Sequence, residues 1–236
     1  MSATRPILTV LEVSVDDPLG GEPWALGSFE LPPGQWARVD AGSPSRMDVL
    51  GDVFTGLLAP RAGRVAFPGT YWAAARPHVA AQLRARIGRV FYSTAWLANL
   101  DVDENVLLAV LYHTPRPEPE WQAEALAWAH RFGMHALPTT RPAVTPVADL
   151  QRAQWVRAVL MRPALLVLEE PDRDVPPSSA AAFWSAVAEL LHAGSALVWI
   201  TLDSARPNPA PLPACAARRS WSTFPVAPEN AQETRQ

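Results

Sequence analysis

The chain has 236 residues, 49% of them hydrophobic, with 20 basic and 23 acidic side chains and a formal charge of −3. That is ample apolar material for one α/β domain, or for one carrying a helical insertion. Its arginines are scattered singly with no basic run, which argues against an electrostatic nucleic-acid surface. All 20 basic residues are arginine and lysine is absent; a coding bias accounts for this over most of the chain, and it matters at one loop. The longest apolar strands, 165–168 and 196–200, fall far short of the ~20 residues of a membrane-spanning helix. The N-terminus runs into a strand-like segment without a secretory apolar core, so a cytosolic location is expected. The single Cys215 allows no internal disulfide or cysteine metal cluster, and the five histidines show no ligand spacing. Cys215 is expected to be a free thiol in a tail, and no metal site is expected.

In chain order, residues 7–40 alternate short β-like runs with turns at Pro18-Leu19-Gly20-Gly21 and Pro32-Pro33-Gly34, which predicts an antiparallel β subdomain. Residues 34–40 read as a turn and a short strand. Residues 47–58 then read as a helix, with Met47, Leu50, Phe54 and Leu57 at helical spacing. Strand, loop, helix is the layout of a phosphate-binding loop. Residues 104–113 and 121–132 read as helices. The second offers a broad apolar face of Trp121, Leu126, Trp128, Ala129 and Phe132, expected to pack internally. Residues 179–192 form a further amphipathic helix, marked by Pro176-Pro177-Ser178-Ser179 and ended by Gly194. Past Asp203 a proline-dense connector (205–213) leads to a polar end (227–236) expected to be mobile.

Several blocks occur in a telling order: Gly56 to Val65, Arg86 to Tyr92, Asn99 to Val106, Gln151-Arg152 with Arg157 to Pro163, Leu165 to Pro171, and Ala196 to Thr201. Over about residues 34–203 they closely resemble the nucleotide-binding cassette of ABC transporters. The resemblance implies an α/β fold: a P-loop NTPase-like ABC ATPase core with an N-terminal antiparallel β subdomain and an inserted helical subdomain at about 93–162. It places the cassette at 1–205, with 206–236 as connector and tail. It also implies head-to-tail pairing with another cassette and attachment to a membrane permease, with Tyr92 and the loop 93–100 near the permease contact. Tyr112-His113-Thr114 weakly resembles cassettes of the lipid-trafficking systems that work with MCE-domain proteins.

Against that family the site residues are heavily altered. A working phosphate loop wraps phosphates in glycine amides, neutralises them with lysine and holds magnesium with a hydroxyl. The aligned residues here are Ala41, Gly42, Ser43, Pro44, Ser45, Arg46, Met47 and Asp48, with Met47 at the lysine position and Asp48 at the hydroxyl. Ser45 to Asp48 fits a capping box, with Ser45 as cap and Asp48 folding back, so that the anion site at the helix start is filled by a carboxylate. A phosphate within about 4 Å of it would meet ~1–4 kcal/mol of repulsion. In a contrary arrangement Asp48 binds magnesium directly and Arg46 supplies the charge.

The segment at the signature loop is Thr145 to Asp149; Pro146 lacks both hydroxyl and N–H, and Val147 and Ala148 lack glycine's freedom. Glu170 matches the general base and Glu169 the Walker B acid that orients magnesium; with nothing bound, the pair is expected to be solvated or bonded to arginine. Tyr92 replaces the glutamine sensor and Leu202 the switch histidine, and the dimer-contact aspartate falls at about Pro176. Where the family has an adenine-stacking aromatic stand Val15-Asp16-Asp17, with Trp24 the nearest ring.

Damage to both halves of the composite site predicts a non-catalytic cassette on the inner face of the cell membrane, partnering a permease or a sister cassette. It is expected to bind no cofactor, or Mg-ATP if the site works despite its sequence. The alternatives are a divergent working ATPase using Arg46 and Glu170, and a soluble interaction module outside transport.

Overall fold

The computed structural model describes residues 5–93 and 95–220. Strand β1 (Leu8–Val15) pairs antiparallel with β2 (Trp24–Leu31) on one side and β4 (Ala62–Ala66) on the other; the antiparallel subdomain expected over 7–40 thus holds for β1 and β2 and takes its third strand from 62–66, while residues 36–40 join the other sheet. Between β2 and β4 come β3 (Trp36–Asp40) and α1 (Pro44–Phe54). After β4 the chain passes through α2 (Pro77–Arg84) into β5 (Ile87–Val90). Helices α3 (Val102–His113), α4 (Glu118–Arg131) and α5 (Val147–Val159) then precede β6 (Leu165–Glu169). The remaining elements are α6 (Pro177–His192), β7 (Ala196–Thr201) and β8 (Ala217–Ser220).

A second sheet, in the order β5-β6-β7-β3-β8, is parallel throughout. Every residue of β3, β6 and β7 is buried, as the near-continuous apolar runs of a sheet covered on both faces require. Alternate residues feed two cores. Leu165, Val167, Val198 and Ile200 pack with Met47, Leu50 and the antiparallel sheet. Leu166, Leu168, Leu197 and Trp199 pack with the helices, where Phe132, Trp155, Phe183 and Trp184 form a connected set of rings.

The loop before α3 is held from within. Asn105 donates to the carbonyls of Leu97, Leu100 and Asp101 and accepts the Leu97 N–H at 2.8 Å, while the Asp101 N–H donates to Glu104 at 2.6 Å. Internal packing holds for Trp121, Ala129 and Phe132, which are buried, and fails for Leu126, which is exposed.

Three boundaries differ from expectation. Helix α1 runs from Pro44 to Phe54 rather than over 47–58, because Ser43 followed by proline is itself a start signal. Helix α5 begins at Val147, so most of the segment read as a signature loop is helical. The cassette does not end at 205: the connector returns β8 to pair with β3, and Trp36 Nε1 donates to Pro213 O at 2.9 Å. Cys215 lies in that connector, half-buried, with burial raising its thiol pKa. The expected mobile end at 227–236 lies outside the described residues.

Candidate functional site

The turn from β3 into α1 spans only Ala41 to Ser43. Gly42 makes it at φ 70°, a backbone region that favours glycine. Ala41 N–H is committed to Thr201 O at 2.8 Å, Ser43 Oγ accepts Arg46 N–H at 3.4 Å, and Met47 N–H bonds Ser43 O at 3.1 Å. Pro44, at the first helical position, has no N–H. The capping box expected of Ser45 and Asp48 is therefore not formed. Ser43 caps the helix, there is no acid in its first turn, and Asp48 instead accepts a hydrogen bond from Ser93 Oγ at 3.2 Å. Of the backbone amides that would cradle phosphate, those of Arg46 and Met47 are thus spent on Ser43, and Pro44 has none to offer.

Met47 is fully buried in the core beneath the antiparallel sheet. Arg46 turns away to a two-pronged contact with Asp17, Nη2 to Oδ2 at 2.5 Å and Nε to Oδ1 at 3.0 Å. That hydrogen bonding lowers the pKa of Asp17 and raises that of Arg46. Arg46 and Asp48 are thus not brought together as a charge and metal pair. Trp24 is buried in the core and presents no stacking face.

At the far end of β6 the two glutamates have separate arginine partners. Glu169 is fully buried. Its Oε1 accepts Arg89 Nε at 2.8 Å and Nη2 at 2.7 Å, and its Oε2 accepts the Tyr92 N–H at 2.8 Å. Arg89, from β5, also reaches Asp52 at 2.6 Å and lies 4.3 Å over the Phe91 ring. A Cβ on Gly51 would stand 2.2 Å from both Arg89 Nη2 and Glu169 Oε1, so helix α1 admits this pair only because position 51 is glycine.

Burial pushes the Glu169 carboxyl up to about 7 against the pull of Arg89. A carboxyl whose pKa rises from 4.5 to about 7 on folding contributes stability that is full below 4.5 and is lost as pH rises through 7. The melting temperature is therefore expected to fall between those limits, and Glu169→Gln to flatten the slope. An equal slope in the variant counts against this assignment.

Glu170 adopts φ 39°, a strained region for a residue with a side chain. Its Oε1 accepts Thr201 Oγ1 and the Leu202 N–H, each at 2.6 Å, and its Oε2 is paired with Arg206 Nη1. Arg206, from the connector, also reaches Asp172 at 2.5 Å. Tyr92 is capped by Arg173, 3.9 Å above its ring. The fold thus gathers Asp48, Tyr92, Glu169, Glu170 and Leu202 at one end of the sheet, with Gly42, Ser43 and Ser45 at the neighbouring helix start and Arg46 directed elsewhere. Arg89, Arg206 and Asp17 were not singled out by sequence reasoning. An arginine inside the apolar Ile87–Val90 strand was the available signal for the first.

These residues do not fit Mg-ATP. The lysine position is buried thioether, the Arg46 and Met47 amides are used and Pro44 has none, and the strand-end acids Glu169 and Glu170 already have guanidinium partners. At the signature position Val144 and Val147 are exposed and Pro146 caps α5, leaving no glycine amides to grip a nucleotide held by a facing subunit.

A five-stranded parallel sheet flanked by an antiparallel β subdomain and helices, with its candidate site at the strand ends beside a strand-to-helix turn, is the architecture of an ATP-binding cassette. Solved structures agree. A dimeric bacterial ABC transporter cassette aligns at TM-score 0.72 and 18% identity over 83% of this chain and 88% of its own. The Clostridium perfringens cassette from an ABC transporter complex aligns at 0.64 and 21% over 84% and 79%.

Among curated proteins, a phosphonates import ATP-binding protein of Bradyrhizobium diazoefficiens is 28% identical over 158 residues, covering 64% of this chain and 58% of that protein. A lipoprotein-releasing system ATP-binding protein of Rhodopirellula baltica is 28% identical over 178 residues, covering 74% and 77%. The chain thus spans just over half the length of the phosphonate-import relative. No protein-family profile matches it. In sequence the chain is similar to ATP-binding subunits of ABC transporters, and in fold to ATP-binding cassettes.

Proposed function

We propose that this chain is a non-catalytic cassette subunit of an ABC-type transport system, serving assembly or regulation rather than ATP hydrolysis. The observation that carries this reading is the pairing of both strand-end glutamates with the chain's own arginines, Glu169 with Arg89 and Glu170 with Arg206. The positive charge that nucleotide chemistry requires there is supplied internally, while Arg46, on which a divergent ATPase would depend, is held by Asp17.

No helix among the described residues is long and apolar enough to cross a membrane, so the proposed partner is a membrane permease, with the chain peripheral on its inner face and a sister cassette as second partner. The exposed Leu97, Leu108, Leu111 and Tyr112 on and before α3 form the proposed permease contact. The lipoprotein-releasing relative favours a lipidated cargo as the transported class.

Titration with a fluorescent ATP analogue and magnesium tests the reading: no saturable binding is expected at millimolar nucleotide. Hydrolysis at ordinary transporter rates that disappears in Glu170→Gln would overturn it. Co-expression with an ABC permease membrane subunit tests the partner, with membrane retention expected for the native chain and lost in Leu108→Glu.

A further inference from the structure

A chain with 23 acidic side chains nevertheless leaves the guanidinium of Arg157, on α5, without a carboxylate among the described residues. Its Nη1 donates to Ala95 O at 2.8 Å, while Nη2 is buried with no acceptor. Aromatic rings lie against it, that of Trp96 at 4.5 Å and that of Phe91 at 5.8 Å. Trp96 Nε1 is a second buried donor with no acceptor. Burial draws the Arg157 pKa down to about 10, so the group is still a cation at neutral pH. A guanidinium offers five N–H donors in a planar fork whose geometry matches a carboxylate, and here the fork is only partly used.

Arg157 borders two adjoining cavities of about 430 and 510 Å³, which share it with Ala109 and His113. The other arginines on their walls are committed: Arg89 to Glu169 and Asp52, Arg84 to the carbonyls of Thr55 and Gly56. No Asp or Glu among the described residues lines either space. The walls are otherwise largely apolar, with Leu57, Phe91 and Met161 in one and Leu97 and Leu108 in the other. Small-molecule sites have this size and this make-up, an apolar wall with a few polar groups that fix orientation. One unspent cation suits a single negative charge, and the walls suit an aliphatic body.

We infer that these joined cavities bind a small amphipathic monocarboxylate of the fatty-acid class, its carboxylate taken by Arg157 and its chain laid against the apolar walls. The inference does not depend on the non-catalytic reading above. It shares Leu97 and Leu108 with the proposed permease contact but needs no membrane subunit, so its failure leaves that reading untouched.

Calorimetric titration of the isolated chain tests it with octanoate, octanamide and acetate. Octanoate is expected to saturate one site per chain below about 10 mM. Octanamide keeps the chain and loses the charge; it is expected to bind about tenfold or more weakly, as loss of one charged hydrogen-bonded contact implies. Acetate, which keeps the charge and loses the chain, is expected to give no saturation. Arg157→Met is expected to treat octanoate and octanamide alike. Ala109→Phe fills the space that both cavities share and removes no bond of Arg157, so it is expected to abolish octanoate binding at an unchanged melting temperature, and it decides the matter alone if Arg157→Met fails to fold. Absence of octanoate saturation in the native chain overturns the proposal, as does equal affinity for octanoate and octanamide. Native affinity for octanoate in Arg157→Met or in Ala109→Phe puts the ligand elsewhere and overturns it as well.

Discussion

Restoring the lysine that the family carries at position 47 is expected to destabilise this chain and to return no ATP binding. Met47 is fully buried among Val39, Leu50, Phe54 and the antiparallel sheet, so an ammonium there either enters an apolar core or forces its stem past packed neighbours. The cost is about 3–5 kcal/mol, the scale of a buried charge left without a partner. Urea unfolding measures it as a fall in midpoint at unchanged slope. Nucleotide binding stays absent because the amide cradle is lost too: Pro44 contributes no N–H, and the Met47 and Arg46 amides are bound to Ser43. Met47→Lys folding within about 1 kcal/mol of the native chain while binding the ATP analogue would show that the loop retains its ancestral geometry, against everything inferred from its turn.

The second large effect lies at the arginine lock. Arg89→Met is expected to cost about 3–5 kcal/mol, because it leaves Glu169 buried with only the Tyr92 N–H for company. Asp52 suffers less, being partly exposed. Replacing the pair together, Arg89→Met with Glu169→Leu, is expected to recover most of that loss, since an apolar pair of similar volume is often neutral where a half-broken ion pair is not. The non-additivity of the cycle is the diagnostic quantity. A single variant within about 1 kcal/mol of native, or a double variant worse than the single, would mean that Glu169 is held by something other than Arg89.

Much of the architecture could be read from the chain alone, and the reasons for the failures are particular. The apolar runs of β6 and β7, the turn residues between the early strands and the helical spacing around Leu50 and Phe54 each carry a local physical signature, and each led to an element of the correct type. The start of α1 was also written locally, in Ser43 followed by Pro44; the likeness to a phosphate loop pointed instead to Ser45, two residues on. Strand β8 was missed because Ala-Arg-Arg-Ser is short and polar and earns its place only through the backbone groups it offers to β3.

At the site, the identities of Met47, Asp48, Glu169, Glu170, Tyr92 and Leu202 were readable, and the structure gathers most of them. Their partners were not. Arg89 and Glu169 are 80 residues apart, and Arg206 and Glu170 are 36; the apolar strand around Arg89 marks that residue but not its partner, and nothing local distinguishes Arg206 from the other arginines in a chain without lysine.

The connector that returns β8 to the sheet also bears on how the molecule can be made. Trp36 and the carbonyl it bonds at Pro213 are 177 positions apart, so the outer side of β3 stays unsealed until synthesis has passed β8. During that interval the bare backbone edge of β3 is open to pairing with a neighbour. Shortened versions that stop ahead of Ala217 would keep the molecule in that hazardous condition permanently, and Ser220 is the earliest sensible place to cut.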